Sequence, residues 1–273
     1  MHRTANRFLV LAFTFAAAAG LAAAPAAAQG MGNNGNVSLS SGVDFVNQYF
    51  FRGIVQETGG FIAQPFLDGS ISFGAASITA GTWSSLHSAQ PEDCCFAGAP
   101  MSFYETDFYA GIGGAAGPVG LDVTYTAYMS PRGSWGTVKE LALGFSLDNV
   151  AAPYATVAFE VSGNAAGDSG GTYFELGIEP SAPLDDAPVS LSFPVAIGLS
   201  PSNYYNPGGV NHAFGFFSVG ASIGIPLNVP EGYGEWGLGL GVSALVFGEG
   251  LKQINGDDSG AKLIALFGLS LGY

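Results

Sequence analysis

Hydrophobic and polar residues alternate along most of this chain with a period of two. Val37-Leu39-Ser41-Val43-Phe45 face one way and Ser38, Ser40, Gly42 and Asp44 the other. Val119-Leu121-Val123-Tyr125-Ala127 alternate with Gly120, Asp122, Thr124 and Thr126. Val189-Leu191-Phe193-Val195-Ile197-Leu199 and Phe217-Val219-Ala221-Ile223-Ile225 repeat the pattern. Such alternation predicts β-strands with one greasy face. Twelve segments follow, near 36–49, 64–73, 76–86, 102–113, 118–129, 138–147, 154–163, 172–179, 189–200, 214–226, 236–247 and 262–273. The runs at 76–86 and 172–179 alternate least, so ten or fourteen strands stay open.

The last run is the most telling. Large apolar residues stand at 263, 267, 269, 271 and 273, small ones at 268, 270 and 272, and the run closes on Tyr273. A terminal aromatic of this kind is a feature of outer-membrane barrels, where insertion machinery reads the final strand. Small, weakly charged residues on the second face suit a confined lumen better than bulk water. The expected fold is therefore all-β, a transmembrane up-and-down antiparallel barrel of about 12 strands.

An even strand count puts both termini on the periplasmic side. The short connections Gly74-Ala75, Gly114 to Pro118 and Asp148 to Pro153 fall on that side, and the longer stretches 50–63, 87–101, 201–213 and 248–261 fall outside. Aromatics gather near strand ends: Tyr49-Phe50-Phe51, Trp83, Tyr128, Trp135, Tyr154, Tyr204-Tyr205, Tyr233, Trp236 and Tyr273. This predicts two girdles at the membrane interfaces.

The N-terminus reads differently. Arg3 and Arg7 precede an apolar stretch from Phe8 to Ala24, and Ala26-Ala27-Ala28 offers a small-residue cleavage site before Gln29. The expectation is a signal peptide over 1–28 and a barrel over 29–273. Composition agrees. Only 10% of residues are charged, 13% are aromatic and 42 are glycine, against about 25% charged in an average soluble domain. Beyond the signal no stretch of 18 apolar residues occurs, so a closed barrel is the remaining way to satisfy backbone groups in lipid.

Ser41 to Phe73 reads SGVDFVNQYFFRGIVQETGGFIAQPFLDGSISF, with Ala80-Gly81-Thr82-Trp83 downstream. This resembles the TorF family of proteobacterial porin-like proteins, through a Tyr-x-Phe-Arg-Gly-x-x-Gln core, a later Gln and Asp, and an Ala-Gly-x-Trp strand. The matching positions are Tyr49, Phe51, Arg52, Gly53, Gln56, Gln64, Asp68, Gly81 and Trp83. Glu105 to Gly111 resembles the family's next strand. The likeness covers roughly the first hundred residues after the signal, and the Cys-containing loop after Trp83 departs from it. It implies a porin-like barrel and names no substrate.

After residue 28 five basic residues (Arg52, Arg132, Lys139, Lys252, Lys262) face 21 acidic ones, a net charge of −16. By strand parity Asp44, Asp68, Glu105, Asp107, Asp122, Glu140, Glu160 and Glu175 project inward from strands one to eight, opposite a wall of Ser, Gly and Ala. Carboxylates lining a narrow pore favour cations. The expected function is passive diffusion of small solutes or ions through a cation-preferring lumen. The alternative is a closed structural or interaction barrel whose acids pair with Arg52 or Lys139. Arg52, with Gln56, is the expected anchor at the mouth, holding the 50–63 loop through Asp68 or Glu57. A constriction residue contacting an anionic solute is the other reading of Arg52.

Little else carries chemistry. Cys94-Cys95 could form a vicinal disulfide or bridge two molecules in an oxidising compartment, and the spacing matches no zinc pattern. His87 and His212 fall in predicted loops, no Gly-x-Ser-x-Gly elbow occurs, and no catalytic residue, metal or cofactor is expected. The negative charge disfavours nucleic acid. The expected partners are outer-membrane lipids, the insertion machinery at Tyr273, and small solutes or cations.

Overall fold

The computed structural model describes residues 36–88, 101–163, 170–183, 189–230, 232–258 and 260–273. The predicted signal peptide over 1–28 and Cys94-Cys95 lie outside these residues. The strands in chain order are β1 (Val37–Val46), β2 (Tyr49–Phe51), β3 (Ile54–Glu57), β4 (Ile62–Phe73), β5 (Ala76–His87), β6 (Ser102–Ala116), β7 (Val119–Met129), β8 (Val138–Leu147), β9 (Pro153–Ser162), β10 (Thr172–Ile178), β11 (Ser181–Pro183), β12 (Ser190–Ser192), β13 (Val195–Ser202), β14 (Phe214–Leu227), β15 (Glu235–Phe247) and β16 (Ala261–Gly272). A short helix α1 (Glu249–Asn255) precedes β16.

Every pairing within the large sheet is antiparallel, and the sheet closes on itself through β14–β15 and β1–β16. With β11 continuing β10, and with β12 and β13 counted as one stave, twelve staves form a barrel. The β12–β13 stave is broken at Phe193-Pro194, where proline has no N–H to give the ladder; both halves still pair with β14. The seam is fixed to the last residue, since Leu39 and Tyr273 exchange backbone hydrogen bonds of 2.8 Å each way. The predicted strands stand, including the two that alternate least, with ends shifted by a few residues.

Parity sorts the side chains as expected. Leu121, Phe108, Leu143 and Phe267 are among many large apolar residues exposed on the outer face, a surface made for lipid rather than water. No helix among the described residues is long and apolar enough to cross a membrane; the strands do the crossing. A charge on this belt should therefore be costly. Leu143→Arg is expected to destabilise the folded barrel by about 2–4 kcal/mol if it lies near the midplane, read as a shift in the urea folding equilibrium in lipid vesicles.

The region 50–63 is not an external loop. Its first part, β2 and β3, forms a hairpin turned by Arg52-Gly53, both with positive φ (50° and 81°). Positive φ at both central residues is the two-residue hairpin geometry whose twist matches that of paired strands. Gly53 suits the second place twice over: the backbone is left-handed there, and Leu251 and Phe216 pack where a Cβ would stand. The hairpin folds into the lumen at the end away from the termini. Tyr49, Phe50, Phe51 and Arg52 are all buried.

The interface girdles need the same correction. Tyr49, Phe50, Phe51, Tyr128, Tyr204 and Tyr205 belong to one buried cluster inside the barrel, while Tyr233 and Tyr273 are exposed. Rings at the far strand ends turn inward because the hairpin gives them something to pack against. The predicted loop 248–261 contains α1, whose Leu251 is fully buried in the same cluster.

Candidate functional site: a plugged, acid-rich lumen

Among the described residues, three segments fill the far mouth: the β2–β3 hairpin, Tyr204-Tyr205 and α1. One face of this plug is apolar. Phe50 packs 5.5 Å from the ring of Phe247, and the inward residues Phe216, Leu245, Ile264 and Leu266 belong to the same core. The wall of β14–β16 is therefore greasy near the mouth, where Ser, Gly and Ala were expected. Its Ser222 and Ser243 are buried as well.

The other face of the plug meets the acids. Arg52 donates from Nη1 to Glu140 Oε2 at 2.6 Å and from Nη2 to Oε1 at 2.7 Å, a bidentate pair. Nη1 also reaches the Tyr204 hydroxyl at 3.3 Å. The guanidinium carbon lies 4.2 Å from the Tyr173 ring centroid, 5.0 Å from Phe51 and 5.4 Å from Tyr204. Arg52 thus meets Glu140, where Asp68 or Glu57 was predicted. The predicted partners are engaged elsewhere. Asp68 accepts from the Tyr109 hydroxyl, and Glu57 accepts from the amides of Thr58 and Gly59. Lys139, the other suggested partner for the acids, is exposed, one residue out of phase with buried Glu140. The hairpin dips below the rim, so its tip meets the wall of β8 instead of spanning the mouth.

The remaining inward acids sort into two groups. Glu105, Asp107, Glu140 and Glu175 are buried. Tyr49 donates to Glu105 at 2.8 Å, Tyr128 to Glu140 at 3.1 Å and Tyr154 to Glu175 at 2.9 Å, and Tyr173 also donates to Glu175. Neither oxygen of Asp107 has a hydrogen-bond partner among the described residues. A buried carboxyl without a partner is unfavourable. Asp44, Asp68, Asp122 and Glu160 are only partly buried, and Glu160 accepts from the Gly171 amide at 2.6 Å.

The hairpin is clamped at several further points. Gln56 accepts from the Tyr104 hydroxyl at 2.7 Å, which makes it an anchor to β6. Asn255 of α1 accepts from the Val55 amide at 2.9 Å and donates to the Gly53 carbonyl at 2.8 Å. Tyr205 donates to the Arg52 carbonyl at 2.8 Å. Ser200 Oγ accepts from the amides of Tyr204 and Tyr205, which turns both rings inward. Sequence reasoning missed Tyr173, Tyr204, Tyr205 and Asn255, because aromatic and amide residues near strand ends look alike whether they face lipid, water or lumen. The Tyr204-Tyr205 pair beside a polar run was the available signal.

The motif residues now have a common explanation. Tyr49, Phe51, Arg52, Gly53 and Gln56 build the hairpin and its contacts. Trp83 packs 5.5 Å from the Tyr49 ring. Gly81 leaves room for the Tyr109 ring and the Asp68 carboxylate. Gln64 donates to Ser85 at 3.4 Å. A family model described as "bacterial protein of unknown function" (Gcw_chp) matches residues 30–229. This chain belongs to the Gcw_chp family. The Gcw_chp match takes in the hairpin and the acid-bearing staves β1 to β10, and the TorF resemblance lies within it.

No curated protein matches the chain. Among solved structures, the chain is similar to LpxR from Salmonella typhimurium, at 11% identity over 86% of this chain and 99% of that one, TM-score 0.44. It is similar to the translocator domain of the autotransporter NalP from Neisseria meningitidis, at 11% identity over 87% of each chain, TM-score 0.39. OmpF of Salmonella typhi, in complex with daunomycin, matches at 10% identity over 89% of this chain and 99% of that one, TM-score 0.39. The architecture of this Gcw_chp member rests on its own strand pairing.

His87 is not in a loop. It ends β5, buried, with Nε2 2.9 Å from Ser85 Oγ and Nδ1 3.6 Å from Glu57 Oε2. Tyr104 stacks on its ring at 4.5 Å. Ser85 is 0% exposed and His87 2%, so the pair presents no surface to a substrate. We read it as a polar contact that ties β5 to the hairpin.

Proposed function

We propose that this protein is a porin-type channel of the Gram-negative outer membrane, with both termini periplasmic. It passes small solutes or ions through an acid-lined lumen whose far mouth is narrowed by its own hairpin. The observation that carries the reading is the imbalance of charge on the inner wall. Eight acids were assigned to it by parity. Of the basic residues, Arg52 pairs with one of these acids, Glu140. Lys139 is exposed, Arg132 donates to Ser102 at 2.7 Å, and Lys252 and Lys262 engage Glu249 and Asp257. A confined lumen with surplus carboxylates concentrates cations and repels anions. The TorF resemblance supports the same reading. The pairing of Tyr273 with β1 supports a role for the last strand in barrel closure and insertion.

The test is single-channel current across a planar bilayer under a salt gradient, through the barrel whose hairpin has been replaced by a short link. A cation-favouring reversal potential is expected, moved toward zero in the Asp107→Asn/Asp122→Asn double variant. An unchanged reversal potential would remove these acids from the conduction path.

The plug itself favours a second reading, a closed envelope barrel working through its far loops. That reading expects a silent bilayer both for the native chain and for a chain whose hairpin has been replaced. The channel reading expects the replacement to conduct.

A further inference from the structure

The cage around Arg52 has the parts of a ligand site. A carboxylate accepts both Nη atoms of one guanidinium, at 2.6 and 2.7 Å. The guanidinium carbon lies 4.2 Å from the centroid of the Tyr173 ring, with the rings of Phe51 and Tyr204 at 5.0 and 5.4 Å. The Tyr204 hydroxyl adds a third polar contact at 3.3 Å. A planar, forked cation satisfies this set, whereas an ammonium would leave one carboxylate oxygen and the ring face poorly used.

The cage also stands beside more carboxyl groups than its occupant pairs with. Tyr173, under the guanidinium, donates to a second buried acid, Glu175. Tyr128 donates to Glu140 and is the cross-strand neighbour of Asp107, which has no hydrogen-bond partner among the described residues. Most of the cage belongs to the wall or to the Ser200-tethered turn: Glu140 is on β8, Tyr173 on β10, and Tyr204 follows β13. Only Phe51 and Arg52 arrive with the hairpin. Removing the hairpin's cation therefore leaves the wall's recognition groups in place.

We propose that this cage is the guanidinium-recognition site of the lumen, filled by the tethered Arg52 and able to take a small guanidinium-bearing solute in its place. The role as a solute site rests on the channel reading; the binding property does not. Arg52 is a competitor held nearby at an effective concentration in the millimolar range or above. Free solute thus displaces it only at comparable concentrations, and in doing so releases the tip of the plug.

The experiment uses the full barrel refolded in detergent with methylguanidinium as probe, and methylammonium and sodium as controls, all as chlorides. Arg52→Ala opens the cage; Arg52→Met keeps the aliphatic stem and serves if the alanine variant folds poorly. The readout is the temperature of the heat-modifiable gel shift. Methylguanidinium at low millimolar concentration is expected to raise it in the Arg52 variant, with at least a tenfold concentration advantage over methylammonium. The response should vanish when Glu140→Gln is added, and the native chain should not respond at these concentrations. An Arg52 variant indifferent to methylguanidinium, or equally responsive to all three salts or after Glu140→Gln, would overturn the proposal. Thermal response without bilayer current would leave the site standing and sink the channel; current without thermal response would do the reverse.

Discussion

Arg52→Ala is expected to lower the stability of the folded barrel by about 3–5 kcal/mol, the usual result of removing one partner from a buried ion pair. The mechanism is specific. Glu140 is 3% exposed. Without Arg52 it keeps only the Tyr128 hydroxyl, at 3.1 Å, among the contacts described above. A carboxylate so placed has lost its counter-charge and cannot recover hydration. Glu140→Gln should cost less, about 1.5–3 kcal/mol, because the amide oxygen still accepts from the guanidinium while the charge assistance is lost. A double replacement by methionine should cost less than the sum of the single ones, since neither charge is then stranded. Urea titration of folding into vesicles measures all three. A cost for Arg52→Ala below about 1 kcal/mol would match an exposed pair and contradict the buried clamp.

Replacing Phe50 to Gln56 by a short Gly-Ser link should have the larger effect on transport. Tyr49 and Glu57 are paired across the base of the hairpin, so the link need span only one strand spacing. The change removes Phe50, Phe51 and the Arg52 clamp together. Burial of each phenylalanine is worth about 1.5–3 kcal/mol, so the barrel should unfold at lower urea. The staves do not depend on the hairpin for their ladders, and the barrel should still close. With the hairpin gone, Glu140, Glu105 and Asp107 lose the part of the plug that reaches them, and Tyr204-Tyr205 and α1 remain at the mouth. Current should rise from silence or brief openings to a steady level that prefers cations.

The barrel was legible in the sequence because a period of two is enforced twice in a membrane. Lipid excludes polar groups from one face, and a narrow lumen excludes bulk from much of the other. Leu121, Val123 and Tyr125 could not swap phase with Asp122 and Thr124 without placing a carboxylate in hydrocarbon. The twelve staves and the inward assignment of the acids follow from that constraint. The plug was not legible. Tyr49 to Glu57 carries apolar, charged and amide residues in no simple period, and a hairpin inside a barrel reads like a loop outside it. Arg52 was visible as a rare cation and Gly53 as a turn residue. The partner of Arg52 depends on how deep the hairpin reaches, which is set by Tyr205, Asn255 and Tyr104 from distant parts of the chain. The same depth explains why aromatics expected at the lipid interface lie inside.

The decisive comparison is single-channel current through the native barrel and through the Gly-Ser-linked barrel, in the same bilayer under the same salt gradient. A steady, cation-selective conductance is expected in the linked barrel that the native chain lacks or shows only in brief openings. Equal currents would mean that the hairpin is no plug, and silence from a folded linked barrel would mean that the lumen is no channel.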